Sequence, residues 1–282
     1  MTITRFAPSP TGLLHLGHAY SAALGYDRAG RDGGRFLLRI EDLDPGRSRA
    51  EYVSAIMEEM RWLGLPNDGE PLVQSGRGKV YAAALERLRA GGLVYPCFCT
   101  RADIAASLAA PHGEAATSYL GTCRGLDDDP ARRAATPHSW RIDAVAAIAR
   151  TSLPTWREEE GTIFAAEARH IDDAILARKD APAAYHLACV VDDAASGVTL
   201  VVRGADLRAS TPIQRLLQML LDLPEPTYLH HALVTHADGR RLAKRDEPPT
   251  LAAMRQAGVD GPSLAAAMLC GTLPIGFGWS NA

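Results

Sequence analysis

The chain has 282 residues, 47% of them hydrophobic and 22% charged, a length and usage that suit one large domain or two and exclude disordered, collagenous and fibrous classes. Thirty basic against 33 acidic side chains give a formal charge of −3, so no global positive field points to nucleic acid, although a local basic patch is compatible with that total. Five cysteines without regular pairing do not make a secreted disulfide scaffold. No uncharged run reaches the ~18–20 residues of a membrane span, and the proline-interrupted start does not read as a cleaved leader, so a soluble cytoplasmic protein is expected.

In chain order, Ile3 to Ala7 reads as a strand stopped by Pro8 and Pro10, and Leu16 to Arg28 as an Ala- and Leu-rich helix. Arg35 to Ile40 is a second strand. Arg49 to Leu63 has helical spacing, with Tyr52, Ile56, Met60 and Leu63 on one face, and Val80 to Arg89 repeats the pattern before Gly91-Gly92. Alternating strands and helices predict an α/β fold with a parallel sheet covered on both faces. From Cys97 to Arg133 the texture changes to cysteines, glycines, prolines and the acidic run Asp127 to Asp129. Short strand-like pieces follow at Trp140 to Ile142 and Thr162 to Phe164, as in an insertion with its own order. Alternation returns with a helix at His186 to Val191, a strand at Val198 to Val202 and a helix over Thr211 to Leu221. The tail after Pro248 reads as two short helices, with Cys270 in its apolar core.

The segment from Arg5 to His18, RFAPSPTGLLHLGH, puts a strand, a proline-fixed turn and His15-Leu16-Gly17-His18 at the start of a helix. Helix amino termini offer unpaired N–H groups and a positive partial charge, which suit phosphate, and a glycine allows close approach of a flat ring. A bare His-x-Gly-His reads more often as a capped helix start beside a turn. The flanks decide: the segment resembles the HIGH motif of class I aminoacyl-tRNA synthetases, and RFAPSPTG with Arg39 to Asp44, RIEDLD, resembles the glutamyl branch. Ala184 to Ala188, Val191-Asp192-Asp193, Val201 to Leu207 and Ser210-Thr211-Pro212 follow in the family's order. The run Asp238 to Arg245, DGRRLAKR, stands where the KMSKS loop belongs, with Arg241 for its first lysine, Ala243 for its serine and Lys244 at its second lysine.

The resemblance implies a class I synthetase Rossmann-like parallel sheet with an inserted zinc-bearing subdomain. The catalytic domain would be split between 1–95 and 185–247, with the insertion at 96–184 and a short helical tail at 248–282. It implies attack of a carboxylate on the α-phosphate of ATP, with His15 and His18 on the triphosphate, Gly17 under the nucleoside, Arg241 and Lys244 on the β- and γ-phosphates, and Mg2+ arriving with ATP. For the amino acid it implies Arg5 on a carboxylate, Ser9 adding a hydrogen bond, Glu41 on the α-ammonium, and Tyr185 and Arg203 completing the pocket. Two arginines against one glutamate fit an acidic amino acid better than glutamine. Cys189, one turn after Tyr185, is either a pocket residue or a small core residue.

Only 37 residues follow Arg245, too few for the anticodon-binding part that full-length glutamyl enzymes carry there. A catalytic half without that part resembles the glutamyl-queuosine tRNA(Asp) synthetases, which activate L-glutamate without tRNA and attach it to queuosine in the anticodon of tRNA(Asp). A truncated enzyme charging a tRNA 3′ end is the nearest alternative. A non-catalytic ATP- or tRNA-binding relative, supported only by Arg241 and Ala243, is the other. Cys97, Cys99 and Cys123 have a spacing that suits either a tetrahedral zinc or two buried cysteines and an unrelated third. The resemblance implies one structural Zn2+ with Tyr119 as fourth ligand, and His112 is the chemically more ordinary alternative. A monomer is expected.

Overall fold

The computed structural model describes residues 1–100, 102–104, 119, 121–240, 242 and 249–280. Arg241, Lys244 and His112 fall outside them. The first sheet is β1 (Ile3–Phe6), β2 (Arg35–Ile40) and β3 (Leu72–Val73), parallel and in that order, with Ile3 opposite Arg35 and Arg39 opposite Leu72. A second parallel pair is β9 (Leu200–Gly204) and β10 (Thr227–His231). β9 runs beside β1: the Thr199 N–H donates to the Ile3 carbonyl at 2.9 Å, and the Ile3 N–H donates to Thr199 Oγ1 at 2.9 Å. The chain leaves β1 for one side and returns at β9 on the other. The carboxyl ends of these two strands therefore flank a topological switch point, where open α/β sheets bind their ligands.

α1 (Leu16–Gly30) crosses from β1 to β2 and α2 (Ala50–Trp62) from β2 to β3. Their apolar faces, Leu16, Ala19, Ala22 and Ala23 with Ile56 and Met60, bury against Phe6, Phe36, Leu38 and Ile40 of the sheet. The small alanines let α1 lie close on the strands, and each fully buried large side chain contributes roughly 1.5–3 kcal/mol. Glu59 of α2 is the exception in this layer. It is 0% exposed, neither oxygen has a hydrogen-bond partner, and it faces the backbone N–H groups of Leu14 and Ala252.

α3 (Gly78–Ala90) leads to β4 (Val94–Cys97), which opens the insertion. β4 pairs antiparallel with β5 (Ser139–Ile142), and β5 with β8 (Ile175–Ala177). α4 (Pro130–Ala135) and α5 (Ala144–Arg150) flank β5, and β6 (Thr155–Arg157) and β7 (Ile163–Ala165) form a hairpin. α6 (Tyr185–Ala195) and α7 (Thr211–Leu220) return to the parallel body. Leu187, Leu216 and Leu217 join Tyr81, Ile142 and Leu176 in one core, which ties the insertion to the rest. Asp192 of α6 is 0% exposed and accepts from Gln74, Arg77 and Tyr81, clamping α6 to α3 and the turn before it.

The tail holds more than the two expected helices. α8 (Leu251–Gln256) and α9 (Gly261–Leu269) are present, and a final strand β12 (Phe277–Trp279) pairs antiparallel with β11 (Val234–His236). α9 packs on α1 and meets the end of α2, where a Cβ on Gly261 would lie 2.1 Å from the Trp62 carbonyl oxygen, so only glycine fits. Cys270 is exposed rather than core, because it caps the C-terminal end of α9 outside the packed face. Thr250 forms a backbone bridge with His15, and the Leu251 N–H donates to the Leu14 carbonyl at 2.9 Å. Among the described residues no helix is long and apolar enough to cross a membrane.

Candidate active site and metal centre

A cavity of about 440 Å³ opens at the carboxyl ends of β1 and β9. It gathers six of the expected residues, each from a different element or turn: Arg5, Ser9, His18, Glu41, Tyr185 and Arg203. β1 delivers Arg5, the proline turn Ser9, α1 His18, the end of β2 Glu41, the first turn of α6 Tyr185, and β9 Arg203.

Arg5 is 6% exposed and lies against its neighbours in a fixed pose. Its Nε donates to Asp193 Oδ1 at 2.9 Å and one Nη to the Val202 carbonyl at 3.2 Å. Arg39, a residue without an expected role, donates to the same Asp193 oxygen and also to Glu41 Oε1 at 3.0 Å. Two arginines and two carboxylates thus form one buried cluster. Burial alone would raise the Asp193 carboxyl, but Arg39 and Arg5 outweigh it and hold the group down at about 2. Glu41 moves the other way: burial raises it, and Arg39 only partly offsets that. Cys189 is not a pocket wall. It is 2% exposed under the cluster, within 3.4 Å of Arg39 and 3.6 Å of Asp193, and burial pushes its thiol up to about 11.

Arg203 is fixed by a second buried set. Its Nε donates to His230 Nε2 at 3.0 Å, and its two Nη atoms donate to Gln214 Oε1 at 2.6 Å and Thr211 Oγ1 at 2.8 Å. An arginine cannot accept, so His230 Nε2 holds the lone pair and Nδ1–H donates to Glu158 Oε1 at 2.6 Å. Burial, reinforced by Arg203, keeps that imidazole neutral by lowering it to about 3. Of the charged side chains that line the cavity, Arg5 and Arg203 are basic and Glu41 is acidic, so its lining is net positive. Tyr185 reaches the cavity from α6, and burial raises its phenol, so it stays protonated there.

His15 caps α1. Its Nδ1 accepts from the Gly17 N–H at 3.2 Å, while His18 Nδ1 accepts from the His15 N–H at 3.2 Å. A ring nitrogen that accepts carries no proton, so each neutral ring keeps its proton on Nε2. The rings lie 3.9 Å apart, tilted by 47°. A Cβ on Gly17 would come within 3.1 Å of the His15 ring. A side chain there would press on the ring and make it shift by a few tenths of an ångström.

The sulfurs of Cys97, Cys99 and Cys123 lie within 4.8 Å of one another beside Tyr119. Cys99 and Cys123 are 3.5 Å apart, and Tyr119 Oη is 3.4 Å from Cys97 and 3.7 Å from Cys99. A tetrahedral zinc with ~2.3 Å bonds to sulfur and ~2.0 Å to oxygen has edges of roughly 3.5–3.8 Å, so these donors fit it. The Cys123 N–H donates to Tyr119 Oη at 2.9 Å, and the Arg141 guanidinium stacks 3.8 Å from the Tyr119 ring centre. The N–H favours negative charge on the phenol oxygen, but burial and the Cys97 contact outweigh it and raise the phenol above its ordinary value. Burial opposes the Cys123 thiolate, but hydrogen bonds led by the Phe98 N–H outweigh it and hold that thiol below its ordinary value. Three cysteines of this kind could hold zinc.

Sequence reasoning missed Arg39, Asp193, His230 and Glu158. Asp193 lies in the quoted Val191-Asp192-Asp193 run, where two adjacent acids inside an apolar helix signal buried partners.

The sequence model described as tRNA synthetases class I (E and Q), catalytic domain, matches residues 1–279, and the chain belongs to this family, as a ligase of the class I aminoacyl-tRNA synthetase type. Among its relatives, the glutamyl-Q tRNA(Asp) synthetase of Rhodobacter capsulatus is 43% identical over 268 residues, covering 91% of this chain and 95% of that one. The protein of the same name from Deinococcus radiodurans is 43% identical over 279 residues, covering 97% and 90%. The crystal structure of a glutamate tRNA ligase from Elizabethkingia meningosepticum superposes with a TM-score of 0.73 at 28% identity. That match covers 87% of this chain but 52% of the other, so the chain spans about half that ligase.

Proposed function

We propose that the protein activates L-glutamate with ATP in the absence of tRNA and transfers it to the queuosine base in the anticodon of tRNA(Asp). The observation that carries this is the single cavity in which Arg5, Arg203 and Glu41 converge next to His18. Two fixed guanidiniums suit the carboxylates of an acidic amino acid, one carboxylate suits its ammonium, and a helix start suits the triphosphate. The names of the relatives supply the queuosine-bearing acceptor.

In this reading Arg5 and Arg203 hold substrate carboxylates, Ser9 adds a hydrogen bond, Glu41 takes the ammonium, and Tyr185 closes the wall. His15 and His18 serve the phosphates through Nε2–H as pyrophosphate departs, and Gly17 leaves room for the His15 ring. Arg241 and Lys244 meet the β- and γ-phosphates, and Mg2+ comes with ATP. Cys97, Cys99, Tyr119 and Cys123 hold one structural zinc, which would supply a fixed point for the insertion. The catalytic body is 1–95 with 185–247, the insertion 96–184 and the tail 248–282. The antiparallel sheet of β4, β5 and β8 supports that division. The enzyme works as a cytoplasmic monomer.

Glutamate-dependent ATP–pyrophosphate exchange without tRNA tests the first half, with aspartate and glutamine as controls. Labelled glutamate offered to tRNA(Asp) with and without queuosine tests the second. Exchange only when tRNA is present, with label on the 3′ end, would replace this reading with a 3′-charging enzyme.

A further inference from the structure

Ser21 stands on α1 one turn beyond His18 and lines the same cavity. Its Oγ is 2.6 Å from His231 Nε2, and His231 Nδ1 is 2.8 Å from the Ala232 carbonyl oxygen. A carbonyl has no proton to give, so Nδ1–H is the donor there and Nε2 holds the lone pair. The Ser21 hydroxyl proton is thereby committed to His231. What Ser21 presents to the cavity is oxygen lone pairs alone.

The arrangement is held from behind. His231 is 7% exposed, Tyr20 meets its ring edge-on at 4.9 Å, and Tyr20 in turn rests on Trp279 at 4.5 Å. Burial keeps the imidazole below its ordinary value, although the Ala232 hydrogen bond and Asp206 act against that. Neither the glutamate reading nor the phosphate reading uses this pair.

We propose that Ser21, oriented by His231, is a specificity-determining residue that accepts a hydrogen bond from the nucleoside part of ATP, an O–H of the ribose or an N–H of the adenine amino group. This rests on the proposed ATP-dependent activation. If the triphosphate lies at the helix start near His18, Ser21 is three residues further along, about 4.5 Å up the axis, on the scale of the step from an α-phosphate to the sugar. A group with only lone pairs to offer selects a donor and gives nothing to an analogue that lacks it.

The test is calorimetric binding to the complete chain of ATP, 2′-deoxy-ATP, 3′-deoxy-ATP and purine riboside triphosphate, which lacks the amino group. One analogue is expected to bind wild type about tenfold more weakly than ATP, and its identity names the donor. That penalty should vanish in Ser21→Ala and in His231→Phe and persist in Ser21→Thr. Equal binding of all four nucleotides by wild type, or a penalty that survives Ser21→Ala, overturns the proposal. Exchange is measured in parallel. A wild type that discriminates among the nucleotides but shows no glutamate-dependent exchange would refute the activation reading while supporting the role of Ser21.

Discussion

Arg5 of the first strand and Asp193 of α6, 188 residues apart in sequence, meet with Arg5 Nε 2.9 Å from Asp193 Oδ1 beneath the cavity. The contact fixes the arginine proposed to hold substrate, and it does so with a carboxylate already shared with Arg39. Replacing Asp193 by Asn leaves two buried guanidiniums undercompensated. The expected cost is about 3–5 kcal/mol of stability, with a raised KM for glutamate in whatever folds. Because the folded Asp193 sits at about 2, below the unfolded value near 3.8, its contribution is full above pH 4 and is lost as pH falls toward 2. Melting curves against pH for wild type and Asp193→Asn should converge at the acid end.

His18 both caps α1 and lines the cavity. His18→Ala should cost ~1 kcal/mol through the lost cap and a further 10²–10³-fold in exchange rate. His18→Asn, which can still accept from the His15 N–H, should recover the stability and not the rate. Thermal melting and exchange, run on both variants, separate the two losses.

Lys244 is the lysine retained in the altered KMSKS-like run. Lys244→Ala should lower kcat for exchange by tenfold or more with little change in the Kd for glutamate, since a phosphate contact strengthens in the transition state. An unchanged rate removes Lys244 from the mechanism.

Tyr119→Phe keeps the three cysteines and deletes the phenol oxygen that lies 3.4 Å from Cys97 and 3.7 Å from Cys99. Zinc content should stay near one per chain at high metal, but competition against a chelator should show affinity at least tenfold weaker. Cys123→Ser should lose zinc outright and melt lower. Equal zinc affinity in Tyr119→Phe would return the fourth position to another donor, with His112 the first to replace.

Glu59 is buried without a hydrogen-bond partner, and burial raises it to about 7 from an unfolded 4.5. The unfolded chain gives up this proton first. Stability therefore falls as pH rises from 4.5 to 7, the reverse of Asp193. Glu59→Gln should be close to neutral at pH 4.5 and stabilising by about 1–3 kcal/mol at pH 8.

Much of the cavity was legible because its contributors lie in locally coded segments. The proline turn, the glycine before His18 and the strand that stops just before Glu41 each place a side chain by short-range rules. The helix starts near Leu16 and Thr211 and the strands near Ile3 and Arg35 were found for the same reason. The Arg39–Asp193 contact was not legible, because an arginine in a strand reads the same whether it faces water or an acid 154 residues away. β12 escaped notice too: three residues have no periodicity, and only pairing with β11 makes them a strand. Cys270 was misplaced because an apolar neighbourhood in sequence does not say which side of a helix end faces out.

The pairing of β12 with β11 also bears on where this protein can be cut. Every recognisable signature ends by Arg245, and an engineer trimming to the last motif would stop there. Such a fragment would lack the wall that Trp279 sets behind Tyr20, and through Tyr20 behind His231. It would also lack α9, which packs on α1 and whose glycine lets it approach the end of α2. The described part of the tail contributes no residue to the cavity's lining, yet the Ser21–His231 end of the cavity leans on it through Tyr20 and Trp279. A tag or fusion placed there is best separated from Ser280, whose N–H still donates to the Leu233 carbonyl just before β11.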